Sequence, residues 1–147
     1  MIVKVKRLNK YAVIPFKKHS GDFCYDVVAT SCEEIAPNVF KYGTGLAFEI
    51  VRKEEYVGLN VDIDFRPRSS VYNTGMVLAN CEGTIDEPYR GEVCAIFYHV
   101  MPNMPRYKVG DRIGQIKIGL TEPIEFVEVE NLSDTERGSD GFGSTGK

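Results

Sequence analysis

The feature that most constrains the fold is a series of short runs in which apolar or β-branched residues alternate with polar ones, separated by turn-forming Gly, Pro, Asn and Asp. In no stretch of about 12 residues does the periodicity of an amphipathic helix persist. Many short strands with regular turns predict an all-β protein, folded as a β-barrel or sandwich. The predicted strands cover residues 2–6, 45–51, 56–65, 92–100, 112–118 and 124–130.

One short helix is predicted, at residues 69–75, where Ser69 or Ser70 could cap the N-terminus. The composition then changes near the end of the chain, because residues 137–146 contain four glycines. Such a segment contributes nothing to a core. We therefore expect one β domain at residues 1–132, followed by a flexible C-terminal tail at residues 133–147.

Composition excludes several classes of partner. The chain has 147 residues, enough for one domain, and 18 Lys and Arg against 21 Asp and Glu give a formal charge of -3. No overall positive field is available for a nucleic-acid backbone, although a local arginine cluster could bind a small anion. The four cysteines form no Cys-x-x-Cys pair, so we expect reduced residues that mostly serve packing.

The first residues alternate apolar and charged side chains and lack the long apolar run of a signal peptide or membrane span. We therefore expect an intracellular protein, cytoplasmic or nuclear, that is neither secreted nor bound to a membrane.

The tail matches the glycine spacing of a dinucleotide-binding turn, Gly141-Phe142-Gly143-Ser144-Thr145-Gly146. That motif requires a following helix, and only one residue remains. The weaker hypothesis is that backbone N–H groups, the two hydroxyls and Arg137 fold over a phosphate while Phe142 stacks on a base.

Residues 83–93 are predicted to form a β-hairpin, because Gly and Pro interrupt two strand-like flanks. Asp86, at the neck of this hairpin, is a candidate general base for a bound water. The alternative is a turn aspartate that bonds its own backbone.

Two further segments carry polar groups beside a predicted turn or helix start. Arg68, Ser69 and Ser70 could converge on an anion at the start of the short helix. Gln115 follows a Gly-Asp turn and enters a strand, and by itself that pattern has no functional meaning.

Taken together and in order, these segments resemble the five motifs of the trimeric dUTP diphosphatase (dUTPase) family, between residues 21 and 146. The resemblance implies a distorted jelly-roll fold, a homotrimer with sites shared between subunits, and hydrolysis of dUTP to dUMP and pyrophosphate. That reaction keeps uracil out of DNA and supplies dUMP for thymidylate synthesis. The motifs are Tyr25-Asp26-Val27, Pro67-Arg68-Ser69-Ser70, Gly83-Thr84-Ile85-Asp86 with Tyr89-Arg90-Gly91, Gly110-Asp111-Arg112-Ile113-Gly114-Gln115, and the glycine-rich tail.

The resemblance also implies roles. Asp86 is similar to the family's general base for water attack at the α-phosphorus, and Tyr89 to the residue under the deoxyribose that excludes a 2′-hydroxyl. Uracil would be contacted by Asn80 and by the residues Gly83, Thr84 and Ile85. Arg68, Ser69, Ser70 and Gln115 resemble phosphate-binding and water-positioning residues.

The same resemblance implies Mg2+ as cofactor, held through water by Asp26. The tail would be a lid in which Arg137, Ser144 and Thr145 bind phosphate and Phe142 covers the uracil. Two departures from the family pattern stand out: Phe23-Cys24 replaces two small residues, with possible effects on the metal site, and Gly114 is a minor change from Ala.

The sequence leaves two alternatives. A dCTP deaminase of the same fold superfamily needs a Glu on the strand after the hairpin, where this chain has Ile96. A non-catalytic nucleotide-sensing protein would retain the fold without needing Asp86 and Tyr89.

Overall fold

A computed structural model of the chain describes residues 1–140, and its regular secondary structure is almost entirely short β-strands. Two short 3-10 helices, Glu54–Tyr56 and Ser69–Thr74, interrupt them. The strands are β1 (Ile2–Arg7), β2 (Tyr25–Val28), β3 (Ser31–Ala36), β4 (Val39–Gly43), β5 (Leu46–Val51), β6 (Asn60–Arg66), β7 (Met76–Leu78), β8 (Gly83–Asp86), β9 (Cys94–His99) and β10 (Arg112–Thr121). The predicted all-β class is confirmed.

The strands form three antiparallel sheets. One is the ribbon β1-β5, the second has the order β2-β10-β6-β8, and the third has the order β3-β4-β9-β7. In the second sheet β8 lies at an edge and pairs with β6 alone, with Asp86 opposite Asp62 and Gly83 opposite Phe65. This sheet brings together the segments that the sequence identified as functional.

Alternation along the strands builds the core. In β6, Val61, Ile63 and Phe65 are buried, while Asp62 and Asp64 lie on the opposite face of the strand. Three aromatic rings, Tyr42, Phe97 and Tyr107, pack edge to face with centroids 5.5–6.2 Å apart. The Tyr42 hydroxyl donates to the Tyr107 carbonyl at 2.8 Å, so its polar end is satisfied inside the core.

Three local predictions were wrong. Residues 83–93 do not form a hairpin, because β8 belongs to one sheet and β9 to another. Residues 124–130 form no strand within this chain. Neither serine caps the Ser69–Thr74 helix, since Arg68 occupies the N-cap position with no side-chain cap bond.

The cysteine prediction was partly wrong. All four cysteines are free, but Cys32 and Cys81 are exposed and Cys24 and Cys94 are only half-buried, so none belongs to the core. None of the helices formed by residues 1–140 is long and apolar enough to cross a lipid bilayer.

Candidate active site

The first group of predicted residues lies around the start of β8. A cleft of about 300 Å³ is lined by Asn80, Gly83, Thr84 and Ile85, together with apolar core residues such as Phe65. The Asn80 amide packs directly over Gly83, because a methyl group at Gly83 would lie 3.3 Å from Asn80 Nδ2. The residues predicted to contact uracil therefore share one cleft.

The backbone of β8 contributes to this cleft as well as its side chains. Since β8 is an edge strand, one row of its N–H and C=O groups pairs with β6 and the other row is available. Backbone groups at fixed spacing can match the donor and acceptor pattern of a base edge, as an added strand matches a sheet edge.

Asp86 ends β8 and faces a second cleft of about 360 Å³, which Tyr89 and Glu92 also line. The two clefts share Thr84, Ile85 and Cys94. Asp86 is exposed, and its carboxylate makes no side-chain hydrogen bond or ion pair with any part of residues 1–140. The alternative of a turn aspartate bonded through its side chain is not what the structure shows.

The Tyr89 ring is held beside Asp86. Its hydroxyl donates to the Glu92 carbonyl at 3.0 Å, and its backbone N–H donates to the Asp86 carbonyl at 2.9 Å. The ring lies against Gly91, where a methyl group would be 2.5 Å from Tyr89 Cζ. The Tyr89 ring is thus a restrained flat surface next to the Asp86 carboxylate.

A separate cleft of about 370 Å³ contains Asp26, Arg68, Arg112 and Gln115. Arg68 Nε and Arg112 Nη1 each donate to a different oxygen of Asp26 at 2.9 Å. Gln115 pairs with Asp26 across β10 and β2, and its Nε2 is 3.5 Å from the Pro67 carbonyl. Asp26, Arg68 and Gln115 are therefore brought together as the sequence implied.

The two serines play different parts in the structure. Arg68 Nη1 donates to Ser70 Oγ at 3.3 Å, so Ser70 supports the guanidinium. Ser69 is exposed at the start of the 3-10 helix and does not line the cleft of Asp26. Of the residues at this helix start, Arg68 therefore supplies the charged donor that lines the cleft.

Arg112 lines this cleft although no role was predicted for it from the sequence. Its signal was available, since it lies in the Gly-Asp-Arg segment that feeds β10, but a charge at the start of a strand has no specific meaning without its partner. Its partner Asp26 is 86 residues away in the chain. With Arg68, it gives this cleft a positive rim around one carboxylate.

The tail residues predicted to bind phosphate are only partly described. Arg137 is exposed and donates from Nε to the Asp140 carbonyl at 3.0 Å, and it lines none of the three clefts. Phe142, Ser144 and Thr145 lie outside the described residues.

The clefts of Asp26 and of Asp86 have no lining residue in common. Residues 1–140 thus carry two separate groups: two arginines around a carboxylate in one cleft, and an unpartnered carboxylate, a restrained tyrosine ring and an edge strand in the others.

Comparison with known proteins decides the family. The family model described as dUTPase matches residues 10–146. The deoxyuridine 5'-triphosphate nucleotidohydrolase of Nautilia profundicola is 38% identical, with both chains covered completely. The protein of the same name from Corynebacterium glutamicum is 39% identical, covering 99% of this chain and 95% of its own. The chain belongs to the dUTPase family.

Solved dUTPase structures agree in fold. A mutant dUTPase of Staphylococcus bacteriophage 80alpha with dUpNHpp superposes with a TM-score of 0.82 at 24% identity, covering 99% of each chain. A mutant dUTPase of phage phi11 of S. aureus, whose structure details the coordination of a structural Mg(II) ion, has a TM-score of 0.71 at 18% identity. It covers 91% of this chain and 100% of its own. The dUTPase-like fold predicted from the motifs is confirmed.

The two departures from the dUTPase motif pattern have different consequences. Phe23 is 75% exposed and lines the rim of the Asp26 cleft with half-buried Cys24, so their bulk borders the site and does not enter the core. The substitution at Gly114 is not minor, because the Phe65 ring occupies the space that an Ala methyl would need.

The donor set at Asp26 fits Mg2+ only through water. No group of three or more His, Cys, Asp or Glu side chains able to hold a metal occurs within residues 1–140. Each Asp26 oxygen accepts one guanidinium N–H and retains a lone pair for a metal-bound water. Mg2+ commonly keeps several waters and takes its other ligands from substrate phosphates.

Proposed function

We propose that this chain hydrolyses dUTP to dUMP and pyrophosphate by attack of water at the α-phosphorus. Membership of the dUTPase family supports the reaction. The observation in this chain that carries the proposal is the combination at the end of β8: an exposed carboxylate without a partner in residues 1–140, Asp86, next to the fixed Tyr89 ring and an edge strand with available backbone groups.

Uracil is selected at β8. The free backbone row of residues 83–85 offers donors and acceptors at fixed positions, and the Asn80 amide adds one more polar group. Cytosine presents a donor where uracil presents an acceptor, so it would leave buried polar groups unpaired. A site built in this way rejects the wrong base strongly.

Deoxyribose is selected at Tyr89. The ring is restrained by its hydroxyl bond to the Glu92 carbonyl and by contact with Gly91. A sugar that packs on this rigid surface has no room for an added 2′-hydroxyl.

Asp86 acts as the general base. Because its carboxylate is not consumed by a protein partner within residues 1–140, it can accept the proton of a water held beside the substrate. The proton moves to the Asp86 carboxylate as the water oxygen bonds to the α-phosphorus, and pyrophosphate leaves.

The triphosphate binds at the arginine cleft. Arg68 and Arg112 are oriented by Asp26, and Gln115 contributes an amide to the same cleft. Bound Mg2+ would neutralise charge that develops on the phosphate oxygens, with Asp26 contacting its water shell. Ser70 keeps the Arg68 guanidinium in place, and Ser69 is available from the helix start.

The complete site is shared between copies of the chain in a homotrimer. The two separate groups occupy different clefts of one chain, which supports this assembly. The segment after β10 supports it too, because Ile124, Phe126 and Val127 are 70–91% exposed in a run that has the alternation of a strand. An exposed apolar run of this kind requires a partner surface.

The tail at residues 133–147 is a lid rather than part of the β domain at residues 1–132. Arg137 lies on an exposed turn and is free to approach a γ-phosphate, and Phe142, Ser144 and Thr145 would follow it onto the nucleotide. Closure would exclude bulk water from the reacting phosphate.

A nucleotide panel tests the proposal. Purified protein with Mg2+ is incubated with dUTP, dCTP, dTTP and UTP, and monophosphate and pyrophosphate are quantified. We expect rapid release from dUTP alone, and a roughly 10²–10⁴-fold lower kcat for Asp86→Asn with nucleotide binding retained. Equal rates for dUTP and UTP, or release of ammonia from dCTP, would contradict it.

A further inference from the structure

The turn that follows β8 is held by several bonds that do not involve the Asp86 carboxylate. The Tyr89 N–H donates to the Asp86 carbonyl at 2.9 Å, and the Arg90 guanidinium donates to the Glu87 and Tyr89 carbonyls at 2.5 and 3.0 Å. The backbone around Asp86 is therefore fixed while its side chain stays free.

Glu87, the next residue, forms the strongest of these attachments. Arg52 Nε donates to Glu87 Oε1 at 3.1 Å, and Arg52 Nη2 donates to Glu87 Oε2. Arg52 Nη1 also donates to the Leu59 carbonyl at 2.5 Å. One guanidinium thus joins three segments: the end of β5, the loop before β6 and the end of β8.

This pair differs from an ordinary surface ion pair in this chain. Lys4 and Glu49 make a single 2.8 Å contact, with 60% and 44% of their side chains exposed. Arg52 and Glu87 are each only 28% exposed and meet in a two-point geometry. A fork of this kind specifies orientation as well as attraction, whereas exposed single contacts contribute little.

The other end of β8 is tied to β6 in a similar way. Arg66 pairs with Glu82 just before the strand, and Thr84 donates its hydroxyl to the buried Asp64 at 3.2 Å. An edge strand with only one neighbour is otherwise free to shift or fray. Among the side-chain ties of β8, the Arg52–Glu87 fork is the nearest in sequence to Asp86.

We propose that Arg52 and Glu87 are positioning residues that hold the end of β8 so that the Asp86 carboxylate meets the attacking water. The proposal rests on the role of Asp86 as general base. A displacement of about 1 Å at a reacting group can cost on the order of 10²-fold in rate, so loss of the fork lowers turnover. Binding of uracil along residues 83–85 depends on the ties at the other end and changes little.

The experiment compares Glu87→Gln, Arg52→Met and the double variant, with Arg52→Lys as a milder change that keeps the charge but loses the fork. Lys4→Met and Lys4→Gln are the controls, since they break the exposed Lys4–Glu49 ion pair on the β1-β5 ribbon from the β1 side and leave Glu49 unchanged. For each folded variant, kcat and KM for dUTP, thermal stability and assembly mass are measured.

We expect Glu87→Gln and Arg52→Met each to lower kcat by about tenfold or more, with KM changed less than about threefold. The double variant should be no slower than the slower single variant, because both remove one interaction. Arg52→Lys should be intermediate, and the controls should match the wild-type protein.

Unchanged kcat in folded Glu87→Gln, with or without a lower thermal stability, would overturn the positioning role, as would additive effects in the double variant. These results are distinct from a failure of the proposed function. If the proposed function were wrong, the wild-type protein would not hydrolyse dUTP, or Asp86→Asn would retain full activity.

Discussion

At the scale of single residues, the chemistry depends on which polar groups are already satisfied. Asp26 has the charge of a metal ligand, yet each of its oxygens accepts a bond from an arginine. Asp86 is an aspartate with no such partner in residues 1–140. The same residue type thus has two different settings: Asp26 orients arginines in one cleft, and Asp86 is available to take a proton in another.

A substitution at Gly91 tests whether the position of the Tyr89 ring determines the selection of deoxyribose. Gly91→Ala would place a methyl 2.5 Å from Tyr89 Cζ and displace the ring. We expect the preference for dUTP over UTP, measured as the ratio of kcat/KM values, to fall by about tenfold or more.

Gly21→Ala is the matched control, because no atom lies within 4 Å of the methyl it would add. It should leave the ratio unchanged. An unaltered ratio in Gly91→Ala would mean that the ring position does not determine sugar selection.

Sequence could nominate Asp86, Tyr89 and Arg68 as candidates because each belongs to a motif whose order along the chain is informative, and the structure places each of them in a cleft. It could not show that Arg112 pairs with Asp26, since that contact joins residues 86 positions apart and depends on the register of β2 against β10. Sequence likewise could not show that the Asp86 carboxylate has no side-chain partner within residues 1–140, because that depends on the contacts of all its neighbours.

At the scale of elements, the pairing of β6 with both β10 and β8 places the clefts. Alternation predicted strands at residues 45–51 and 112–118, and both occur with shifted ends. The hairpin at 83–93 was wrong because Gly and Pro mark a turn without specifying whether the next strand stays in the same sheet. Which sheet the next strand joins is determined by packing between the sheets.

Gly114 in β10 lies beneath the Phe65 ring of β6, with ring carbons 2.7 and 2.8 Å from the place of an added methyl. Gly114→Ala should lower the free energy of unfolding by about 1–3 kcal/mol through overpacking.

Adding Phe65→Leu should recover part of this loss, so the double variant is more stable than the sum of the single effects implies. Chemical denaturation of the four proteins measures it. Strict additivity would show that Phe65 is not what constrains Gly114.

Asp62 and Asp64 on β6 give a pH-dependent prediction. Burial, followed by hydrogen bonding to Asp64, raises the pKa of Asp62 above its usual 3.8. A raised folded-state pKa means that its contribution to stability is full below the unfolded pKa and is lost as pH rises through the folded pKa.

The variant Asp62→Asn has no carboxyl to ionise, so it does not lose this stability as the pH rises. Its melting temperature relative to wild type should therefore increase between strongly acidic and neutral pH, as followed by thermal denaturation across that range. A difference that stays constant with pH would contradict the cause given for Asp62.

At the scale of the whole molecule, the proposal assigns activity to an assembly, because Asp86 and the pair Arg68 and Arg112 line different clefts of one chain. The exposed run at residues 124–130 has the alternation of a strand but finds no sheet edge within its own chain, which is why the strand predicted there was wrong. Sequence records the pattern of a strand, and the proposed homotrimer would supply the partner strand or surface from another copy.

Mixed assemblies test the sharing of sites. Asp86→Asn and Arg68→Ala subunits should each be inactive alone, and co-refolding them in equal amounts should restore activity in about one site in four, as expected for random mixing in a symmetric trimer. No recovery in verified mixed trimers would place both residues of a site on one chain.

The most direct test of the central claim is hydrolysis of dUTP in ¹⁸O-labelled water with mass analysis of both products. Attack at the α-phosphorus, with Asp86 as base, predicts that the label appears in dUMP and that pyrophosphate is unlabelled. Label in pyrophosphate, or products other than dUMP and pyrophosphate, would contradict the proposed mechanism.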